Sequence, residues 1–415
     1  MSAAHGGFAT ATVPASRQAE SAAPRTRTAQ TRAAAERAPG VDAPSPAIPG
    51  DERLPSHPPL TACVINYNGE DYLECSLGAL ASHGAPLSEV VLVDNASTDG
   101  SRLLVETRFP GVRLVALPRN LGAAAARNVA LQQARTDLVL LIDNDVAPAP
   151  GAIEALASAL QRTPDAAVAM PAIVHAGDGA TIQYDGADAH FLGQQILHHE
   201  GVPYGSAPLD EHDIGSVVSA CILVDRSRLP APGPGSDGGG AFDEDFFIYF
   251  EDHDFGYRLR LMGRRVLAVP AASCMHGAGT QGVSIRALGG YSRLRIAGHI
   301  RNRWIFLIKN FSVRSLVLLF PVLATYEGVQ FVGVVKKGWL GEWGRAAWWI
   351  ATHARDLLAR RRHIQRSRRC SDRILLQGGP VPLRSEATAT SVERAARRLL
   401  DGIANAYWRL IRGML

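Results

Sequence analysis

An apolar run, Leu140, Leu141 and Ile142, ends in Asp143-Asn144-Asp145. At the end of an extended segment, side chains at i and i+2 point the same way, so both carboxylates can face one ion. Mg²⁺ and Mn²⁺ prefer oxygen ligands and are often held by one or two carboxylates together with substrate phosphates. A second acidic cluster, Glu251-Asp252-His253-Asp254, lies where acids alternate with Phe246, Phe247, Tyr249, Phe250 and Phe255. A carboxylate among aromatic rings is partly desolvated, which raises its basicity toward working pH and suits a general base. Together the clusters point to an enzyme that moves a group away from a nucleotide diphosphate. His276, after the apolar stretch 266–275, adds one imidazole that an oxygen-rich metal site accepts.

Each feature also has a plainer reading. Asp143-Asn144-Asp145 could be an exposed turn that caps the next helix. Asp252 and Asp254 could simply open a helix over 251–261, where acids complement the helix dipole. A lone histidine is usually structural. Position within the fold therefore decides among these readings.

Residues 60–65, 89–93, 112–116 and 137–142 are short apolar runs, and helical patterns fall at 72–82 and 122–134. Such alternation predicts a Rossmann-like α/β fold, with a mostly parallel sheet flanked by crossover helices. Ligands of such sheets sit beyond the carboxyl ends of the strands. Asn66, Asp94 and Asp143 all fall at those ends. Further strands are expected at 217–224 and 265–269, and a Gly/Pro-rich loop at 227–240.

The chain has 415 residues, enough for one large domain or two ordinary ones. Its five cysteines are scattered and lack C-x-x-C spacing, which argues against a disulfide framework or structural zinc and fits a reducing cytoplasm. Residues 1–58 are rich in Ala, Pro and Arg without apolar periodicity, so a disordered tail is expected, with no signal peptide. Charge is uneven: 59–290 holds 14 basic and 27 acidic residues, net −13, while 291–415 holds 23 and 7, net +16. An acidic middle suits a metal-dependent site, and a basic end suits an anionic surface.

Six motifs occur in order: Val64-Ile65-Asn66-Tyr67-Asn68-Gly69; Val93-Asp94-Asn95-Ala96-Ser97-Thr98-Asp99-Gly100-Ser101; Asn120-Leu121-Gly122 with Ala126-Arg127-Asn128; Leu141-Ile142-Asp143-Asn144-Asp145-Val146; Phe242-Asp243-Glu244-Asp245-Phe246-Phe247; and Glu251-Asp252-His253-Asp254. Over roughly residues 60–285 the chain resembles the inverting family-two glycosyltransferases of GT-A fold, especially their rhamnosyltransferase-like branch. The resemblance implies roles. Asn66 and Asn68 would border the nucleotide, and Asp94 would hold its base. Asn120, Gly122, Arg127 and Asn128 would line the nucleotide–sugar pocket. Asp143 would sit near the ribose and metal, Asp145 would coordinate the metal, and His276 would complete its shell. Asp252 would be the catalytic base, with Glu251 supporting it or touching the acceptor. Mn²⁺ or Mg²⁺ would be the cofactor, and a dTDP-, UDP- or GDP-linked sugar the donor. The pattern departs from the family at Ala241, inserted after Gly239-Gly240, and at His253 and Phe255-Gly256; these bear on the acceptor.

Residues 315–335 are mostly apolar but interrupted by Pro321, Glu327 and Gln330, which favours an amphipathic or re-entrant segment over a span. Trp339, Trp343, Trp348 and Trp349 suit a membrane interface, and Arg355, Arg360, Arg361, Arg362, Arg366, Arg368 and Arg369 suit anionic headgroups. Val392, Ala396, Leu399, Ile403, Tyr407 and Leu410 share one helical face. Three regions are thus expected: the tail, a catalytic domain over 59–290, and a helical membrane-associating region over 291–415. Such a region suits a glycan or polyprenyl-diphosphate-linked acceptor, used at the cytoplasmic face of the membrane in cell-envelope or exopolysaccharide synthesis. No motif supports nucleic-acid binding. Two rival classes are a nucleotidyltransferase, disfavoured by the acidic Asn66-Tyr67-Asn68-Gly69-Glu70-Asp71 loop, and a non-catalytic sugar-nucleotide-binding scaffold at the membrane.

Overall fold

The computed structural model describes residues 58–82, 87–176, 180–230, 241–277, 293–381 and 391–415. The expected tail up to residue 57 and residues 231–240 of the expected Gly/Pro-rich loop lie outside the described residues, while the inserted Ala241 packs against the core and accepts from Arg258 through its carbonyl.

The four apolar runs form β1 (Leu60–Asn66), β2 (Leu87–Asp94), β3 (Arg113–Ala116) and β4 (Leu138–Asp143). They lie in the order β3-β2-β1-β4, all parallel. Helices α1 (Glu70–Ala81), α2 (Ser101–Arg108) and α3 (Gly122–Gln133) make the crossovers. Every residue of β1 is buried, as expected of a central parallel strand covered on both faces. On α3, Ala124, Ala126 and Ala130 are wholly buried, and these small side chains let the helix lie close to the sheet.

The chain continues through β5 (Val146–Pro148), β6 (Ala166–His175), β7 (Ile182–Tyr184), β8 (Ala187–His190), β9 (Gln195–Leu197), β10 (His212–Asp213), β11 (Cys221–Asp225) and β12 (Arg265–His276). β11 inserts antiparallel between β4 and β6, and β12 lies parallel to β6. The strand expected to end at Val269 in fact runs on to His276. Its register against β6 shifts between Val269 and Ser273, beside Pro270, which has no N–H to give the ladder. That extension pairs antiparallel with β5, so His276 faces Val146 in register.

After α4 (Ala152–Arg162) and α5 (Glu251–Leu261) come α6 (Arg293–Asn310), α7 (Val313–Lys336), α8 (Leu340–Thr352), α9 (Ala354–Arg366), α10 (Asp372–Leu375) and α11 (Ser391–Ile411). These C-terminal helices share an apolar cluster with the segment before and within α5. Phe246, Phe250 and Tyr257 pack with Phe306, Phe311 and Leu357. A final strand, β13 (Leu376–Gln377), pairs with β8. The boundary expected at residue 290 therefore crosses a shared core.

Several residues expected to face a membrane are instead used inside the fold. Arg360 binds Asp243 and Asp245, Arg361 binds the Ile308 and Phe311 carbonyls, and Arg368 binds Asp372. Trp343 packs edge-on against Trp304, while Trp348 is exposed. The costly Glu327 of α7 accepts from Arg303 and Trp304 of α6, so its charge faces protein. On α11 the packed face is Ala404, Trp408 and Ile411, with Trp408 stacked on Phe191. Of the predicted stripe, Leu399, Ile403 and Leu410 are exposed, whereas Tyr407 is part-buried and donates to the Leu318 carbonyl. The helix thus has two apolar faces, and the protein covers the one with the aromatic anchor.

Candidate functional site

β1, β2 and β4 end at one edge: Asn66 lies beside Asp94, and Ile65 beside Asp143. Asp94 is fully buried and accepts from Asn66 Nδ2 (2.9 Å), Ser97 N (3.1 Å) and Arg102 Nε (2.6 Å). Burial pushes its acidity down, but these donors outweigh it and hold the carboxyl below its ordinary range. Asp94 thus braces the turns around the edge, with both oxygens engaged by protein. Asn68 Oδ1 accepts from Thr98 N, and Asn68 N donates to Ser97 Oγ, which ties the β1 and β2 turns together. Asn120 Oδ1 accepts from Asn95 Nδ2 and from Gly122 N.

Gly122 opens α3 at φ +87°. A Cβ there would lie 2.4 Å from the Phe247 carbonyl oxygen. The Phe247 carbonyl also accepts from Ala124 N, so the approach joins α3 to the aromatic loop. Gly122→Val is expected to lower stability by more than the ~1–2 kcal/mol of a left-handed residue alone, because backbone must also move. Thermal unfolding checks this, and an unchanged Tm would refute the close approach.

Arg127 and Asn128 sit side by side on α3 and face opposite tasks. Asn128 makes a two-way link to Phe242, donating to its carbonyl and accepting from its N–H, and also donates to Glu244. Arg127, 4% exposed, donates to Asp143 Oδ1 (2.7 Å), Glu251 Oε1 (3.1 Å) and the Ser219 carbonyl (3.3 Å). One guanidinium therefore joins the strand-end loop to the second acidic cluster.

The two carboxylates of Asp143-Asn144-Asp145 do not face one ion as the sequence spacing implied. β4 stops at Asp143, and Asn144 and Asp145 form a turn, so the alternation of an extended strand no longer applies. Asp143 pairs with Arg127. Asp145 meets His276 instead, Oδ1 to Nε2 at 3.3 Å, and Gly277 N donates to the Asp145 carbonyl at 2.7 Å. His276 Nδ1 lies 3.0 Å from Gln183 Oε1, an acceptor, which places the ring proton on Nδ1. The Nε2 lone pair then faces a carboxylate oxygen, an arrangement that a divalent cation would satisfy. Among the described residues, no three His, Cys, Asp or Glu side chains gather closely enough to hold a metal ion. A cation here fits two protein ligands completed by oxygens of a bound phosphate.

α5 starts at the second cluster. Asp252 Oδ2 accepts from Ser219 N (3.1 Å), and Asp252 Oδ1 from His253 N (2.7 Å). Burial raises the Asp252 pKa against the opposing pull of Arg127. Glu251, buried beside it, is pushed up to about 8 by burial and by Asp252, again opposed by Arg127. His253 stacks on Phe306 and shares a hydrogen bond with Ser216; burial pushes it down to about 3, so it is neutral. Asp254 is held by Arg258, Lys309 and Asn310, and serves as an anchor for the helix.

Sequence reasoning missed several of these groups. Asn302 Nδ2 lies within 2.9 Å of the Phe246 and Ile248 carbonyls and 2.7 Å of that of Tyr249. Arg301 reaches the Asp245 and Phe246 carbonyls. Phe247 (φ 62°, ψ −64°), Tyr249 (φ 69°) and Phe250 (φ 70°) all have positive φ. Such residues cost about 1–3 kcal/mol each and persist only where the surroundings hold them. Gln183 and Ser219 were also missed. Their roles run through one imidazole and one backbone N–H, which leave no mark in residue type.

Residues 61–203 match the model of glycosyl transferase family 2. Over 271 residues the chain is 29% identical to an N-acetylglucosaminyl-diphospho-decaprenol L-rhamnosyltransferase of Mycobacterium tuberculosis, covering 60% of this chain and 83% of that protein. Residues 61–203 thus form a glycosyl transferase family 2 domain. The glycosyltransferase is also 29% identical over 212 residues to the succinoglycan biosynthesis protein ExoO of Rhizobium meliloti, covering 51% of this chain and 49% of that one. These similarities support a glycosyltransferase of the rhamnosyltransferase-like branch. Among solved structures, GalNAc-T7 with UDP, GalNAc and Mn²⁺ is similar at a TM-score of 0.49 and 13% identity, covering 65% of this chain and 51% of that one. The parallel β3-β2-β1-β4 block and the mixed strands beside it carry the fold on their own.

Proposed function

We propose that this glycosyltransferase moves a sugar, with rhamnose the leading candidate, from a nucleotide diphosphate to a hydroxyl of a glycan or polyprenyl-diphosphate-linked acceptor, with inversion. The observation that carries the reading is the Arg127 bridge. It sets Asp143 at the sheet edge and Glu251-Asp252 at the head of α5 around one space. The nucleotide would lie over the braced turns of Asn66, Asn68, Asp94 and Asn120, with Gly122, Asn128 and Asp143 along the sugar side. Asp145 and His276 would hold Mn²⁺ or Mg²⁺, which supplies charge neutralisation for the departing diphosphate.

Asp252 would accept the proton of the acceptor hydroxyl. The freed oxygen forms a bond to the anomeric carbon from the face opposite the diphosphate. The bond between that carbon and the phosphate oxygen breaks, and its electron pair leaves with the nucleoside diphosphate. Buried Arg127 keeps Asp143 and Glu251 in place, and the raised Asp252 pKa suits a base.

The rhamnosyltransferase relative carries a decaprenol-linked acceptor in its name. The C-terminal helices support a membrane surface as the meeting place. α7 is long and apolar enough to cross a membrane by length and composition, and only 17% of its apolar window is buried. Val313, Val317, Phe320, Phe331, Val332 and Val335 form an exposed stripe along it. A small apolar cavity of about 140 Å³ opens between α7 and α11, lined by Val322, Tyr326, Val329, Leu400 and Ala404 among others. The basic excess of this region would face anionic headgroups on the cytoplasmic side.

The deciding experiment measures nucleoside diphosphate release from dTDP-rhamnose and from UDP- and GDP-sugars. It is run with Mn²⁺ or Mg²⁺, with and without chelator, beside a membrane lipid extract. Release from one donor that chelator stops and the extract stimulates is expected. Tight donor binding without release would instead favour a sugar-nucleotide-binding scaffold.

A further inference from the structure

The loop that delivers the candidate base is built from residues that resist its shape. Phe247 occupies a tight three-residue turn in which Ile248 N donates to the Phe246 carbonyl at 2.7 Å. Such a turn with positive φ is rare and strained. Tyr249 and Phe250 follow, also at positive φ, and Asp252 lies two residues on. None of these three is glycine or asparagine, so the local sequence does not favour the conformation.

What holds it comes from α6. Asn302 is fully buried and its single amide nitrogen lies against three loop carbonyls, those of Phe246, Ile248 and Tyr249. Arg301 beside it takes the Asp245 carbonyl and a second contact on Phe246. His299, one turn earlier, stacks on the Tyr249 ring at 4.9 Å. A leucine of similar size would take this donor from the Ile248 and Tyr249 carbonyls, while the Phe246 carbonyl keeps Ile248 N and Arg301, and the loop would relax toward ordinary backbone angles.

We propose that Asn302 is a positioning residue for catalysis: it fixes the strained 246–250 loop and thereby sets where Asp252 meets the acceptor hydroxyl. It touches neither donor nor acceptor in this role. The inference rests on Asp252 as the base.

The test compares the full chain with Asn302→Leu, using the donor that supports release. kcat is expected to fall about 10²-fold, the effect of displacing a catalytic group by about an ångström. Donor affinity, measured by binding of the nucleoside diphosphate, should stay within about twofold, because the donor turns lie on β1, β2 and α3. Asn302→Ser keeps one donor and should fall between the two, and it supplies the measurement if Asn302→Leu does not fold. Adding Tyr249→Gly to Asn302→Leu should restore about tenfold of the lost kcat, since glycine accepts positive φ without a clamp. A purely structural role would give no such rescue. Equal losses in kcat and donor affinity, or no recovery with Tyr249→Gly, would overturn the proposal. Asp252→Asn is measured alongside. Full turnover by that variant overturns the base assignment and this inference with it. Loss there, with kcat unchanged in Asn302→Leu, overturns the positioning role alone.

Discussion

Asp252→Asn is expected to reduce glycosyl transfer by about 10²–10⁴-fold, the range for losing a positioned general base. The amide nearly matches the carboxylate in size, so Ser219 N still finds an oxygen and α5 still starts where it does. Proton acceptance is lost, together with one of the two hydrogen bonds from Ser219 N and His253 N, because the amide has one oxygen where the carboxylate has two. Binding of the donor nucleotide should be unchanged, because the proposed donor turns lie on β1, β2 and α3 whereas the Asp252 carboxylate is held by Ser219 and His253. Steady-state transfer and nucleotide titration on the same preparation check this. Retained turnover would remove Asp252 from the mechanism. Glu251→Gln is the natural companion. Glu251 is pushed up to about 8, so it already carries a proton near neutral pH, and the amide should cost much less.

The second large effect is expected on stability. Arg127 pairs with both Asp143 and Glu251. Arg127→Met keeps the length of the side chain but removes the guanidinium shared by part-exposed Asp143 and buried Glu251. Removing one partner from a buried charge network typically costs about 3–5 kcal/mol. Arg127→Lys should recover only part of this. A single ammonium cannot reproduce a planar fork that reaches Asp143, Glu251 and the Ser219 carbonyl at once. Denaturant unfolding of the three proteins measures the order, and equal midpoints for Arg127→Met and the parent would contradict the bridge. Glu251 gives a further check. Without Arg127 its pKa should move up again, because the opposing charge is gone.

The parallel half of the fold was legible because β1, β2 and β4 are covered on both faces and therefore read as unbroken apolar runs. Their ends could be found from Asn66, Asp94 and Asp143, and α5 begins at Glu251 as its acidic start predicts. The strand expected over 265–269 runs on past Pro270. Its continuation to His276 depends on pairing with β5 and β6, which are distant in sequence. The pairing of Asp145 with His276 therefore became visible only once those strands met. The spacing rule for Asp143 and Asp145 failed for a local reason, since the strand ends between them. Asn302 lay beyond reach altogether. Its partners are backbone carbonyls, which every residue has, and the loop it holds has a shape its aromatic residues disfavour. The arginines after residue 354 looked like a uniform surface charge, yet Arg360, Arg361 and Arg368 each satisfy a specific buried or half-buried acceptor.

Lys309 and Asn310, the last residues of α6, reach back to Asp254 in the helix that carries Asp252. This gives the protein an unusual rule of inheritance. α5 and the C-terminal helices cannot be exchanged independently between relatives. A chimera joined near residue 290 would receive a loop from one parent and its clamp from another. Recombination that is to preserve turnover should instead cut before Phe242 and carry everything that follows as one cassette.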